Sequence, residues 1–138
     1  MISPIPVRTL VGGHADARVL VLQEPLSLWG GVDQETGRIT DPHHPQHGET
    51  ISGTILVVPH GRGSSTTSSV LAEMIRIGTA PAGVVLSRAD PIIVLGALVA
   101  AELYGRFIPI VVAEGDDFED ISHHAHAVLD ADGVWPGE

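Results

Sequence analysis

The sequence predicts an α/β domain built on a central, partly parallel sheet with two main helices, and three observations predict it. Between residues 54 and 113, short apolar runs of strand length alternate with longer helical patterns in the order β-α-β-α-β. The run at 54–58 is apolar almost throughout and bounded by Gly53 and Pro59, the pattern of a strand covered on both faces. With 138 residues, 43% hydrophobic and 17% charged, the chain suits one globular domain over residues 1–138 better than two small cores or a disordered segment.

Taken in order, residues 7–13 and 17–22 are β-prone runs separated by Gly-Gly-His-Ala-Asp, which reads as a hairpin or tight meander. Residues 25–53 lose all period and are rich in Gly, Pro, Asp and His; Leu26, Leu28, Trp29, Val32 and Ile39 within them argue for an ordered loop. After the strand at 54–58, Val70, Leu71, Met74, Ile75 and Ile77 share one side of a helix that carries Glu73 and Arg76 on the other and stops at Gly78. Residues 82–87 form the next strand, residues 91–105 a helix opened by Pro91 and closed by Gly105, and residues 107–113 a further strand. Residues 125–135 alternate around an Asp-Gly turn and predict a terminal hairpin.

Composition excludes whole classes of chemistry. The net charge of -10 repels phosphate backbones, and an aromatic content of 4% leaves few faces for base stacking, which argues against a nucleic-acid partner. No apolar run reaches the ~20 residues that span a bilayer, and no basic region precedes an apolar core at the N-terminus, so neither a membrane span nor a secretion signal is expected and the default address is cytoplasmic. There is no cysteine, hence no disulfide, no thiolate nucleophile and no ligand for an iron-sulfur cluster. All seven basic residues are arginine. Schiff-base chemistry and the Walker-type phosphate loop, which need lysine, are thereby excluded.

What remains is concentrated at one junction. Six hydroxyl side chains, Ser64, Ser65, Thr66, Thr67, Ser68 and Ser69, follow Gly61, Arg62 and Gly63 where a strand turns into a helix. A helix N-terminus presents unpaired amide protons and the positive end of the dipole, so an anion or an alkoxide is stabilised there. Gly61 and Gly63 let the backbone approach a ligand closely, and a serine at the mouth of such a pocket can bind a carboxylate or act as a base. Capping alone needs one hydroxyl, not six. The nucleophile elbow fails because Thr67 stands where its second glycine belongs, and the dinucleotide fingerprint fails at Thr66. His43, His44 and His47, and likewise His123, His124 and His126, lack the spacing of a specific zinc motif and are read as surface or loop-bonding groups, so no metal ligand is assigned. The run Asp116, Asp117, Glu119, Asp120 reads as a solvated acidic turn, and Trp29 as a loop anchor.

Three segments in order, the Gly30-Gly31-Val32-Asp33 loop, His44-Pro45-Gln46-His47-Gly48 and Gly61-Arg62-Gly63-Ser64-Ser65, make residues 7–112 resemble the small subunit or small domain of the aconitase X hydro-lyases. The resemblance implies a swivelling β/β/α domain, as in the aconitase swivel domain, that closes over a large, cysteine-bearing subunit holding an iron-sulfur cluster. It implies that Ser64 is the catalytic base, taking a proton from the carbon beside a substrate carboxylate. Arg62, Gly63, Ser65, Gly30 and Gly31 would then contact the substrate. The cysteine-free composition fits that division. Two activities go with the resemblance, dehydration of cis-3-hydroxy-L-proline and of mevalonate 5-phosphate. The absence of lysine and the Gly-Ser-Ser reading of the turn favour the hydroxyproline acid. A stand-alone anion-binding module and a metallohydrolase using the histidine loop are the other classes left open.

Overall fold

The computed structural model describes residues 3–61 and 66–137. The chain forms β1 (Arg8–Val11), β2 (Ala15–Val21), α1 (Leu28–Gly31), β3 (Ile55–Val58), α2 (Thr66–Ile77), β4 (Gly83–Leu86), α3 (Pro91–Tyr104), β5 (Ile110–Val112), α4 (Asp116–Ser122), β6 (His126–Asp130) and β7 (Gly133–Pro136). Seven strands lie in one sheet in the order β1-β5-β4-β3-β2-β6-β7. The four central strands β5, β4, β3 and β2 run parallel, while β1, β6 and β7 join antiparallel. The sheet curls until its ends meet: Ile5, just before β1, exchanges two backbone hydrogen bonds with Val134 of β7 at 2.7 and 3.0 Å.

The continuous apolar strands serve two cores at once, because successive side chains point to opposite faces. Ile55 and Val57 of β3, Val85 of β4 and Val111 of β5 point into the curl, where Ala127, Leu129 and Val134 meet them and Ile121 of α4 closes the space. Leu56 and Val58, Val84 and Leu86, and Ile110 and Val112 point the other way, onto the layer formed by α2 and α3. Each fully buried Val, Leu or Ile contributes ~1.5–3 kcal/mol. This is why β3, β4 and β5 carry no polar side chain.

The predicted strands at 54–58, 82–87 and 107–113, both main helices and the terminal hairpin all form. α3 starts as its sequence indicates, with Pro91 in the first turn and Asp90 as N-cap, and ends at Gly105 in the left-handed conformation. Three expectations are corrected. β1 and β2 do not form a hairpin or a meander; β5, β4 and β3 lie between them. Their connection passes the feet of β4 and β5, where a Cβ on Gly13 would lie 3.1 Å from Pro109 and one on Gly83 3.3 Å from Ala15. The acidic run is not a turn but α4. Asp116, Asp117 and Glu119 sit in its first turn, where the helix dipole favours anions, and Phe118 and Ile121 anchor its inner side. Trp29 is 61% exposed and anchors nothing.

The long loop is ordered by its other apolar residues. Leu26, Leu28, Val32, Ile39 and Ile51 are buried in the same core as α2 and α3. Its backbone is tied by bridges between Val32 and Ile39 and between Arg38 and Thr50.

Candidate functional site

In parallel α/β sheets the space beyond the carboxyl ends of the strands is a usual ligand position. Here that rim receives the exits of β2, β3 and β4 together with the N-termini of α2 and α3. Arg62, Gly63, Ser64 and Ser65 fall between the exit of β3 and the start of α2 and lie outside the described residues. The geometry around them is well defined.

Pro59 to Gly61 leads out of β3, and the loop after β4 grips it at both ends. The Pro59 carbonyl accepts the Ser87 N–H at 3.0 Å and the Ser87 hydroxyl at 2.9 Å. The Gly61 N–H donates to Asp90 Oδ2 at 2.8 Å. Asp90 Oδ1 in turn accepts the Ile92 and Ile93 N–H groups at 2.9 and 3.3 Å, capping α3. The His60 Nδ1 lies 2.7 Å from the Gly61 carbonyl, so that nitrogen carries the proton. A Cβ at Gly61 would sit 2.5 Å from Asp90 Oδ2 and 2.8 Å from Ile93 Cδ1. Gly61 was expected to admit a ligand; what approaches it is the start of α3.

The hydroxyl run divides by orientation. Thr66 and Ser69 are exposed, whereas Thr67 and Ser68 are buried toward α3. Ser68 Oγ donates to the Ile92 carbonyl at 2.8 Å. A Cβ on Gly96 of α3 would lie 2.8 Å from the Ser68 carbonyl oxygen and 3.0 Å from Leu71 Cβ. Small residues on both helices therefore allow the close α2–α3 crossing. Thr67 Oγ1 is buried with no hydrogen-bond partner among the described residues. The run is thus part packing, part rim.

Gly30 and Gly31 lie in α1, which packs against α2. Gly30 takes φ +83°, is exposed and has open space where a Cβ would be. Gly31 is buried, and its carbonyl accepts the Thr40 and Asp41 N–H groups at 2.9 and 3.3 Å. Beneath the rim is a cavity of about 20 Å³ walled by Leu26, Leu28, Val58, His60, Gly61 and Ile93 among others. That is room for one water at most.

The histidine loop is structural. His44 is 6% exposed, its Nδ1 accepts the Gln46 N–H at 3.0 Å, and its Nε2 therefore donates to the Glu24 carbonyl at 3.1 Å. Among the described residues no three His, Asp or Glu groups gather where they could hold a metal. With no cysteine in the sequence, the residues of this chain do not fit an iron-sulfur cluster. Shifted pKa values lie away from the rim: the hydrogen bonds from Arg76 lower that of Glu73 on the exposed side of α2.

Sequence reasoning missed Ser87 and Asp90. The Asp-Pro step at 90–91 signals a helix cap, but nothing in the sequence says that the cap also grips the neighbouring turn.

A family model described as the aconitase X swivel domain matches residues 4–135. The chain is 46% identical over 126 residues to a cis-3-hydroxy-L-proline dehydratase of Pseudomonas aeruginosa, a match covering 91% of this chain and 21% of that protein. The chain thus spans about a fifth of that relative's length. It is 39% identical over 129 residues to the phosphomevalonate dehydratase small subunit of Methanothermobacter thermautotrophicus, covering 93% of this chain and 94% of the relative. A crystal structure of Thermococcus kodakaraensis aconitase X in its holo-form superposes with a TM-score of 0.80 at 34% identity over 96% of both chains. The curled, partly parallel sheet with its helical layer and the match over nearly all of the sequence agree: this chain belongs to the aconitase X swivel-domain family.

Proposed function

We propose that the chain is the small, swivelling subunit of an aconitase X-type dehydratase, working in the cytoplasm with a large, cysteine-bearing subunit that holds the iron-sulfur cluster. Its contribution to the reaction is the hydroxyl turn. Ser64, as alkoxide, takes the proton from the carbon next to the substrate carboxylate; the electron pair of that C–H bond forms the new double bond as the neighbouring C–O bond breaks and the hydroxyl leaves as hydroxide with the electron pair of that bond, so that the proton on Ser64 and the hydroxide together make up the water lost. Arg62, Gly63 and Ser65, with Gly30 and Gly31, hold the carboxylate. The observation that supports the reading is the described flanks of the junction: β3 ends at Val58 and α2 begins at Thr66, next to the amino end of α3, to which it is tied by the Ser68–Ile92 hydrogen bond. Each such end bears about half a positive charge.

The favoured substrate is cis-3-hydroxy-L-proline. Its one carboxylate suits a lysine-free chain of net charge -10, whereas a phosphorylated acid adds about 1.5–2 further negative charges that would have to be met. Mevalonate 5-phosphate is the second reading, supported by the 39% identical small-subunit relative.

The test is co-purification from the native host followed by assay of both acids. A larger, brown, cysteine-bearing partner and dehydration of hydroxyproline only by the complex are expected. A chain that comes out alone and binds carboxylates without turnover would make it an anion-binding module instead. Preference for the phosphorylated acid would reverse the substrate assignment.

A further inference from the structure

The segment that leads from β3 toward Ser64 is held from outside. Among the described residues, the hydrogen bonds gripping the Pro59 carbonyl and the Gly61 N–H come from the single loop between β4 and α3: two from Ser87 and one to Asp90 Oδ2. Asp90 uses its two oxygens for two different elements, Oδ1 for the first amides of α3 and Oδ2 for Gly61. The contact is close by construction, since only glycine leaves space for the carboxylate at position 61. The last peptide before the turn is therefore fixed relative to the axis of α3, a 14-residue helix packed into the core, and not left to loop geometry.

We propose that Asp90 is a positioning residue for the reaction: through Oδ2 it holds the Gly61 peptide, from which the chain runs on to Ser64 three residues later. The proposal deepens the functional reading and rests on it. A displacement of about 1 Å in a reacting group can cost on the order of a hundredfold in rate, so a clamp on the adjacent peptide affects turnover far more than substrate affinity.

A cap alone makes a different prediction, because capping uses Oδ1 and positioning uses Oδ2. Asn is as good an N-cap as Asp, yet in Asp90→Asn the second atom is an amide nitrogen that cannot accept the Gly61 N–H. The variant separates the two roles. In the reconstituted two-subunit enzyme, D90N should lower kcat about 10- to 100-fold with KM within about twofold and the melting midpoint of the chain nearly unchanged. The Gly61 amide, followed by NMR hydrogen exchange in the chain itself, should lose protection.

Ser64→Ala runs beside it. If S64A keeps turnover, the reading of Ser64 as base falls, whatever Asp90 does. If S64A is inactive while D90N has wild-type kcat, the positioning role is overturned and the base stands. A D90N loss that only follows a lowered melting midpoint likewise reduces Asp90 to a cap. Asp90→Ser keeps a good N-cap for α3 in its one hydroxyl but has no second acceptor for the Gly61 N–H, so it decides the matter if D90N does not fold. A fall in kcat at constant KM supports the clamp, and an unchanged kcat overturns it.

Discussion

Thr67 is the residue whose surroundings contradict its chemistry. Its hydroxyl is buried at the start of α2 with no hydrogen-bond partner among the described residues, and an unsatisfied buried polar group costs about 1–3 kcal/mol. Replacing it by the isosteric Val removes that cost without changing shape. Thr67→Val should therefore leave the melting midpoint unchanged or raise it by a few degrees, and differential scanning calorimetry measures this directly. A clear fall would show that the hydroxyl has a partner in solution. Its neighbour Ser68 differs in kind, since its hydroxyl bonds the Ile92 carbonyl and ties α2 to α3. Two adjacent hydroxyls that look equivalent in sequence thus have separate energetic roles.

At the scale of elements, the hairpin of β6 and β7 is fastened by Asp130. Its carboxylate accepts the Asp132 N–H at 2.8 Å and the Trp135 Nε1–H at 2.9 Å, and these bonds, the first above all, hold its pKa below the ordinary carboxylate value. A lowered folded-state pKa contributes stability that is present above the unfolded value, near 4, and is lost as pH falls through the lowered one. Asp130→Asn should melt lower than wild type at pH 7, and the gap should narrow as pH falls below the ordinary carboxylate range. A gap independent of pH would mean the carboxylate charge is immaterial. The same hairpin was legible in sequence, because alternation and an Asp-Gly step are local signals. So were β3, α2, β4, α3 and β5, whose apolar periods and caps are set by their own residues. What was not legible depends on partners distant in the chain. The strand at 8–11 pairs with 110–112, about a hundred residues away, and no local pattern encodes that. The acidic run hid a helix because charge masked the Phe118 and Ile121 pair. At the site, the junction and its glycines could be read, but the grip of Asp90 on Gly61 joins positions 29 residues apart and needed coordinates.

For the whole molecule, closure of the sheet rests on the backbone pairing of Ile5 with Val134. Gly133 makes that seam possible. It has φ +136°, and a Cβ there would lie 2.5 Å from the Ile5 carbonyl oxygen. Gly133→Ala should destabilise by more than about 1 kcal/mol, a loss of roughly 3–5 °C in melting midpoint, with the rim untouched. An unchanged midpoint would show that the seam contributes little. The closed body leaves the rim as the part of the described surface where the amino ends of two helices and the exits of three parallel strands converge. The cavity beneath the rim, about 20 Å³, holds one water at most, so in the proposed reaction the acid is enclosed between this rim and the large subunit. The most direct measurement is turnover of cis-3-hydroxy-L-proline by the large subunit mixed with either the wild-type chain or Ser64→Ala. Restored dehydration with the wild type and none with the variant, at equal binding to the large subunit, is the predicted result. Equal turnover with both chains would contradict it.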